Sequence, residues 1–148
     1  MIGPGKTFYP RACPALGHLT AVLTAPDADG RIVVVNITSR TERTDSTVIL
    51  NVGDHKRIIH ASSVAYDWMD FAATATIAAS VRDGDLVPRE DMDPYVLEVI
   101  QRGACRTRRA ARIVKRFCCA LFCPCPRPVE ELVGCPECED CADARVPA

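Results

Sequence analysis

Short apolar runs separated by turns dominate the first half of the chain. Residues 18–24 and 31–39 are rich in apolar and β-branched side chains, and an Asp- and Gly-rich turn at 25–30 lies between them, which predicts a hairpin. Further strands are predicted at 47–52 and at 58–71, the latter long enough for one or two strands. Because no helix separates these runs, the pattern favours a small antiparallel barrel or curled sheet over an α/β fold.

Helical signals follow the strands. Helices are predicted at 74–84, 93–103 and 106–122. Thr74 is suited to cap the first helix and Gly84 to end it, while Asp93 can cap the second helix and Pro94 fits its first position. The expected fold class is therefore mainly β, a small antiparallel barrel followed by two to three C-terminal helices.

The chain of 148 residues is long enough to bury one hydrophobic core without help from disulfides or metal. We predict three parts. Residues 1–16, with several Pro and Gly, form an irregular lead-in, residues 17–117 form the barrel domain with its helices, and residues 118–148 form a Cys- and Pro-rich tail that is mostly irregular.

Composition narrows the class of protein. Hydrophobic residues make up 48% and charged residues 25%, which is typical of a globular protein rather than a disordered one. No apolar run approaches the length of about 18 residues that a membrane span requires, so no membrane association is expected. The N-terminus has no continuous apolar segment of the kind found in secretory signals, and we expect a cytoplasmic protein.

Seven of the nine cysteines crowd residues 118–141. An odd count without an export signal argues against a full disulfide framework. Zinc prefers four thiolate or imidazole ligands, often as pairs two residues apart. A structural zinc ion could be held by Cys123, Cys125, Cys135 and Cys138. The alternatives are reduced thiols and adventitious disulfides.

Seven cations fall within the fifteen residues 102–116, which we call the basic segment. They are Arg102, Arg106, Arg108, Arg109, Arg112, Lys115 and Arg116. Such a density can neutralise several phosphates, and nucleic-acid affinity comes largely from that term. Arg108, Arg109 and Arg112 are therefore candidate contacts to nucleic acid, on the condition that the predicted helix is exposed. The alternative is an ordinary solvated helix face.

The stretch NVGDHKRIIHASSVAY, residues 51–66, is the strongest candidate for a site. His55 and His60 can do acid–base work near neutral pH, and the carboxylate of Asp54 can fix a histidine tautomer. Further candidates can donate hydrogen bonds or offset phosphate charge. These are Lys56, Arg57, Ser62, Ser63 and Tyr66. If 58–66 is a regular strand, His60 and Tyr66 share one face, although the wet face of a small sheet would show the same pattern.

Several stretches resemble the MazF/PemK-like toxins. GHLTAVLTAPDADGRIVVVNITS is similar to the opening hairpin of that family, and STVILNVGDH, SSVAY and DPYVLEVIQ are similar to its later elements, over about residues 17–103. The pattern GDHxxIxH, here Gly53 to His60, resembles a signature of a poorly characterised branch.

The resemblance implies an SH3-like barrel that cleaves single-stranded RNA without a metal ion, with the 2′-hydroxyl as nucleophile. It also implies a homodimer and an antitoxin protein as partner. On this hypothesis His60 and His55 act as acid and base, and Tyr66 stabilises the phosphate. No cofactor is required. The competing hypotheses are a non-catalytic barrel that binds nucleic acid or protein through the basic segment, and a zinc-binding regulator.

Overall fold

The computed structural model describes residues 1–11 and 18–123. In this part of the chain, six strands form one sheet. Of the three helices described, one lies between the fifth and sixth strands and two follow the last strand. The elements are β1 (Thr7–Pro10), β2 (Leu19–Val22), β3 (Arg31–Ser39), β4 (Ile49–Leu50), β5 (Ser62–Ala73), α1 (Thr74–Asp83), β6 (Leu86–Arg89), α2 (Pro94–Arg106) and α3 (Arg112–Phe122). The prediction of a mainly β protein with C-terminal helices is confirmed.

All paired strands are antiparallel, and the sheet order is β4-β5-β3-β2-β1-β6. The sheet curls into a half-barrel. Its curl brings together the residues that follow the two edge strands: Nε2 of His55, after β4, lies 2.7 Å from the carbonyl oxygen of Glu90, which directly follows β6. The predicted hairpin is β2 and β3, paired from Leu19 with Ile37 to Val22 with Val34.

The sheet buries both of its faces. On one face, alternate residues such as Leu19, Val33 and Val35 join the main core with α2 and α3. On the other face, Val22 and Ile32 pack with Phe8 in a smaller cluster beside α1. This double burial explains why the sequence of β3 is a nearly continuous β-branched run rather than an alternating one.

Strand β5 carries an irregularity opposite β3. Asn36 pairs with Ala65 but Val34 pairs with Asp70, so residues 66–69 lie opposite Val35 alone. Such an insertion bends a strand and redirects its side chains. It lets Tyr66 and Met69, three positions apart, both reach the core.

Helix α2 confirms the predicted Asp93 cap: the Asp93 carboxylate accepts hydrogen bonds from the backbone N–H of Tyr95 and of Val96, and Pro94 occupies the first turn. The predicted Thr74 cap of α1 is wrong, because Ala73 is the cap and the Thr74 hydroxyl instead donates to the Gly30 carbonyl. None of the helices in the described residues is long and apolar enough to cross a membrane.

Gly103 does not end α2 as predicted, because the helix continues through it to Arg106. A Cβ atom at Gly103 would overlap the Tyr66 hydroxyl and the Val48 side chain. The glycine is therefore required for close packing between α2 and the sheet rather than for helix termination.

The helix predicted over 106–122 is confirmed from Arg112 onward and wrong before it. Thr107 is extended (φ −62°, ψ 143°), and α3 begins only at Arg112. The physical reason is a buried contact across the fold: the Thr107 hydroxyl donates to the Asp45 carboxylate at 2.5 Å. This bond, between side chains that are both buried, holds Thr107 out of the helix.

The segment 1–16, predicted to be irregular, contains the strand β1, which pairs with both β2 and β6. Strand β6 is likewise absent from the prediction. Both strands carry a proline, Pro10 at the end of β1 and Pro88 within the edge strand β6. Proline is tolerated at these positions because an edge strand or a strand end need not donate every backbone hydrogen bond.

Candidate basic groove

His55 lies in the loop between β4 and β5 and is 6% exposed. Its Nδ1 accepts a hydrogen bond from the backbone N–H of Arg57 (3.1 Å), and its Nε2 lies 2.7 Å from the Glu90 carbonyl. A ring whose Nδ1 accepts and whose Nε2 donates is the neutral tautomer. Nδ1 thus shapes the loop from within and Nε2 holds the loop to the residue after β6, so His55 has a positioning role.

Tyr66 is completely buried, and its hydroxyl donates to the Ile100 carbonyl of α2 at 2.7 Å. Burial, and then the negative charge of Asp45, raise the pKa of Tyr66 well above its ordinary value of 10.0. The side chain is therefore a protonated core residue. The structure places it in the interior against α2, whereas it leaves His60 exposed.

His60 precedes β5 rather than belonging to it, so the expected shared strand face with Tyr66 does not form. One ring nitrogen of His60, Nε2, lies 2.7 Å from the Ser39 hydroxyl. Ser62 is buried and donates to the His60 carbonyl, while the buried Ser63 hydroxyl lies 2.8 Å from that of Thr44. The two serines serve the local structure of the strand.

Asp54 stabilises the turn that opens the loop, because its carboxylate accepts the backbone N–H of Asn51 at 2.7 Å. The two residues that follow His55 differ from Asp54 in their exposure. Lys56 and Arg57 are exposed and line one wall of a concave surface. Of the candidates in residues 51–66, these two share a cavity.

We call this cavity the basic groove. It has a volume of about 500 Å³ and lies between the β4–β5 loop and the β1–β6 edge of the sheet. It is lined by Tyr9, Pro10, Arg11, Lys56, Arg57, Ile59, Val87 and Arg89. Tyr9 and Val87 are direct cross-strand partners in β1 and β6, which places them side by side on its floor.

The charge of the groove is strongly positive. Four of its eight lining residues are cationic, and Lys56 alone among them pairs with a carboxylate in the part of the chain that the structure describes, with Nζ 3.5 Å from Glu90 Oε1. The backbone N–H of Glu90 and the nearby Lys56 hold the pKa of the Glu90 carboxyl below its usual value. Arg57 stacks on Tyr9, with its guanidinium carbon 5.1 Å from the ring centroid.

The basic segment, in contrast, uses several of its cations to hold the fold together. Lys115 is 7% exposed, and its Nζ donates to the Thr107 carbonyl at 2.6 Å. Arg109 donates to the Arg43 carbonyl at 2.6 Å, and Arg102 pairs with Glu98 at 2.6 Å. The condition placed on the nucleic-acid hypothesis is met in part. The segment is not one helix, because it is broken between α2 and α3, but five of its seven cations are exposed, namely Arg102, Arg106, Arg108, Arg109 and Arg112. Arg108 and Arg112 are exposed, and both take part in other interactions of the fold.

Asp45 anchors this segment from the sheet side. It is 4% exposed and accepts hydrogen bonds from the Thr107 hydroxyl and from both the N–H and the hydroxyl of Thr47. Burial alone would raise the pKa of Asp45, but these hydrogen bonds outweigh it and lower the pKa below its usual value of 3.8. The carboxylate is therefore ionised and fully bonded at neutral pH.

Of the four cysteines predicted to bind zinc, Cys125, Cys135 and Cys138 lie outside the described residues, so the zinc site stays a prediction. Cys123 is half-buried at the end of α3. Burial, and then the neighbouring Cys119, raises the pKa of Cys118 to about 12, which keeps that thiol protonated at neutral pH. Residues 1–11 and 18–123 contain no group of three or more potential metal ligands.

Six of the eight residues that line the groove are missing from the prediction made on the sequence. Five of them belong to β1 and β6 or follow β1 directly, and neither strand is predicted; they are Tyr9, Pro10, Arg11, Val87 and Arg89. A signal is present in TFYPR, where Phe8 and Tyr9 precede a cation, but the neighbouring Pro and Gly conceal it.

Comparison with known proteins gives no family assignment: no family model matches the chain, and no curated protein matches it either. The function is therefore argued from the groove itself.

Proposed function

We propose that the protein binds single-stranded RNA through the basic groove. The observation that carries this proposal is the presence of three arginines without a carboxylate partner, Arg11, Arg57 and Arg89, around one concave surface of the described chain. Arginine recognises phosphate well because its planar guanidinium donates two parallel hydrogen bonds.

The apolar part of the groove favours a single strand over a duplex. Ile59 is 76% exposed at the rim, and Tyr9 and Val87 form the floor. Unpaired bases can lie on apolar, aromatic and guanidinium surfaces, whereas a duplex hides its base faces. The resemblance of residues 53–60 to MazF/PemK-like proteins supports RNA as the nucleic acid.

The test is the salt dependence of binding. We expect the affinity for a fluorescent single-stranded RNA to fall steeply with added salt. The slope of log K against log salt should shrink by about 0.7 for Arg57→Gln, since each phosphate that the protein neutralises on a single strand adds about that much to the slope. Arg82→Gln, which changes an exposed arginine on α1, serves as the matched control with an unchanged slope. An affinity that does not depend on salt would contradict the proposal.

RNA cleavage is the second candidate, and the observation that favours it is the exposed His60, whose Nε2 lies 2.7 Å from the Ser39 hydroxyl. It directly follows Ile59, which lines the groove, and an exposed imidazole is suited to serve as a general acid or base. Incubation of the protein with labelled RNA in EDTA tests it. Cleavage by the wild type that is abolished in His60→Ala supports an enzyme. RNA that stays intact would refute cleavage, and binding would then be the only proposed role.

A further inference from the structure

We infer that the basic groove binds the phosphorylated 5′ end of an RNA strand rather than an internal stretch of it. This inference rests on the proposed RNA binding and specifies which part of the RNA enters the groove. It follows from the number of cations, the size of the cavity and the state of Arg89.

The first step is the size of the cavity. A volume of about 500 Å³ falls in the range of pockets that hold one small molecule. It is enough for a unit of about one nucleotide and too small for several. One nucleotide within a strand brings a single negative charge into this space.

The second step is the charge that faces this unit. Four cations line the cavity, and the carboxylate of Glu90 offsets one of them. A single phosphodiester would leave most of this charge without a partner. A terminal phosphate monoester carries about 1.5 to 2 negative charges at pH 7, and a terminal polyphosphate carries more. A strand end therefore matches the charge of the groove better than an internal nucleotide does.

The third step concerns Arg89. Its Nε is buried and makes no hydrogen bond, which is an unusual state for a buried donor. Its strand neighbour across β1 is Thr7, whose hydroxyl donates to the Glu90 carbonyl and does not bond with Arg89 Nε. A small rotation of the guanidinium toward a phosphate oxygen would satisfy this donor. We therefore assign Arg89 to the terminal phosphate and the apolar strip of Tyr9 and Ile59 to the first base.

The experiment compares one short single-stranded oligouridylate with a 5′-triphosphate, a 5′-monophosphate or a 5′-hydroxyl end, by fluorescence anisotropy with the full chain. One additional charge-assisted hydrogen bond corresponds to about tenfold in affinity. We expect about tenfold tighter binding of the 5′-triphosphate RNA than of the 5′-hydroxyl RNA, with the monophosphate between them. In Arg89→Gln this preference should disappear, and in Arg82→Gln it should persist.

Three results would overturn the inference, and they differ in what else they affect. Equal binding of the three RNAs, with a steep salt dependence, would refute end recognition and leave RNA binding through the groove intact. No binding of any RNA would refute both. Free uridine triphosphate that binds as tightly as the 5′-triphosphate RNA would show that the ligand is a nucleotide and not a strand end. Circular dichroism of Arg89→Gln verifies that the variant folds.

Discussion

The basic segment and the basic groove are both rich in arginine and lysine, yet four cations line one cavity in the groove, whereas in the segment several cations bond to other groups of the fold. In the basic segment, Lys115 and Arg109 donate to backbone carbonyls and Arg102 pairs with Glu98. In the basic groove, Arg57 and Arg89 line a cavity without a carboxylate partner in the described chain. The comparison teaches that a run of cations in a sequence measures charge density and not the number of cations that converge on one cavity.

The groove is also assembled differently. The basic segment is continuous in the sequence, whereas the groove joins residues from β1, from β6 and from the β4–β5 loop. His55 fixes the loop to the end of β6 through its bond to the Glu90 carbonyl. We therefore expect substitutions of the bonded residues in the basic segment to change stability and substitutions in the groove to change RNA binding.

The largest effect is expected at Gly103, at the start of the basic segment. Gly103→Ala would force a methyl group against Tyr66 and Val48, and overpacking of this kind costs about 3 kcal/mol of the free energy of unfolding. Urea denaturation measures the loss. Gly3→Ala is the matched control, since its new methyl group meets nothing within 4 Å, and it should stay within about 0.5 kcal/mol of the wild type. Equal stability of the two variants would contradict the packing described for α2.

Lys115 tests whether a cation of the basic segment is structural. Lys115→Met keeps the aliphatic stem but removes the bond to the Thr107 carbonyl, and losing a hydrogen bond to a charged group costs about 2 kcal/mol. We expect lower stability in urea with unchanged RNA affinity in the folded protein. Arg102→Met is the control, because an exposed i,i+4 ion pair contributes only about 0.3–0.5 kcal/mol. A Lys115→Met variant that stays stable but loses RNA binding would contradict the structural role of Lys115.

His55 tests the positioning of the groove. His55→Ala leaves the Arg57 N–H and the Glu90 carbonyl without their partner, which costs about 1–2 kcal/mol of stability. We expect weaker RNA binding as well, because the loop that carries Lys56 and Arg57 is no longer tied to β6. The control is His18→Ala, a histidine outside the groove lining, which should leave RNA affinity unchanged. RNA affinity that is unaffected in His55→Ala would show that the loop holds its position without it.

The smallest effect concerns pH. The pKa of Asp45 is lower in the folded protein than the usual 3.8, so the ionised form stabilises the fold above about pH 3.8, and this contribution is lost as the pH falls through the folded pKa. Asp45→Asn should remove this part of the acid dependence, measured as the slope of unfolding free energy against pH. Asp29→Asn, an exposed carboxylate, should leave the slope unchanged. An identical slope in Asp45→Asn would contradict the depressed pKa.

Much of the fold could be predicted because local patterns determine it. The β2–β3 hairpin follows from an Asp- and Gly-rich turn between apolar runs, and the start of α2 follows from Asp93 and Pro94. The strands β1 and β6 could not be predicted in the same way, since their pairing joins residues about eighty positions apart, such as Thr7 with Arg89. Their prolines weaken the local preference for a strand, and pairing with the neighbouring strands of the sheet stabilises both strands nevertheless.

The site was predictable only in part for the same reason. The loop residues Lys56 and Arg57 stand out by their charge, and they do line the groove. Tyr66 and His55 stand out equally in the sequence, but both are buried, and burial is a property of the whole fold. The Tyr66 hydroxyl bonds to α2, and the two His55 nitrogens bond to Arg57 and Glu90. The break at Thr107 depends on Asp45, 62 residues away, which no helical periodicity could reveal.

The most direct test of the central claim is a side-by-side measurement of RNA affinity in two double variants. One carries Arg57→Gln and Arg89→Gln in the groove, and the other carries Arg108→Gln and Arg109→Gln in the basic segment. We predict that the groove variant loses about tenfold or more in affinity, with a salt slope reduced by about 1.4, while the other variant stays within about twofold of the wild type. A loss confined to the basic-segment variant would contradict the account.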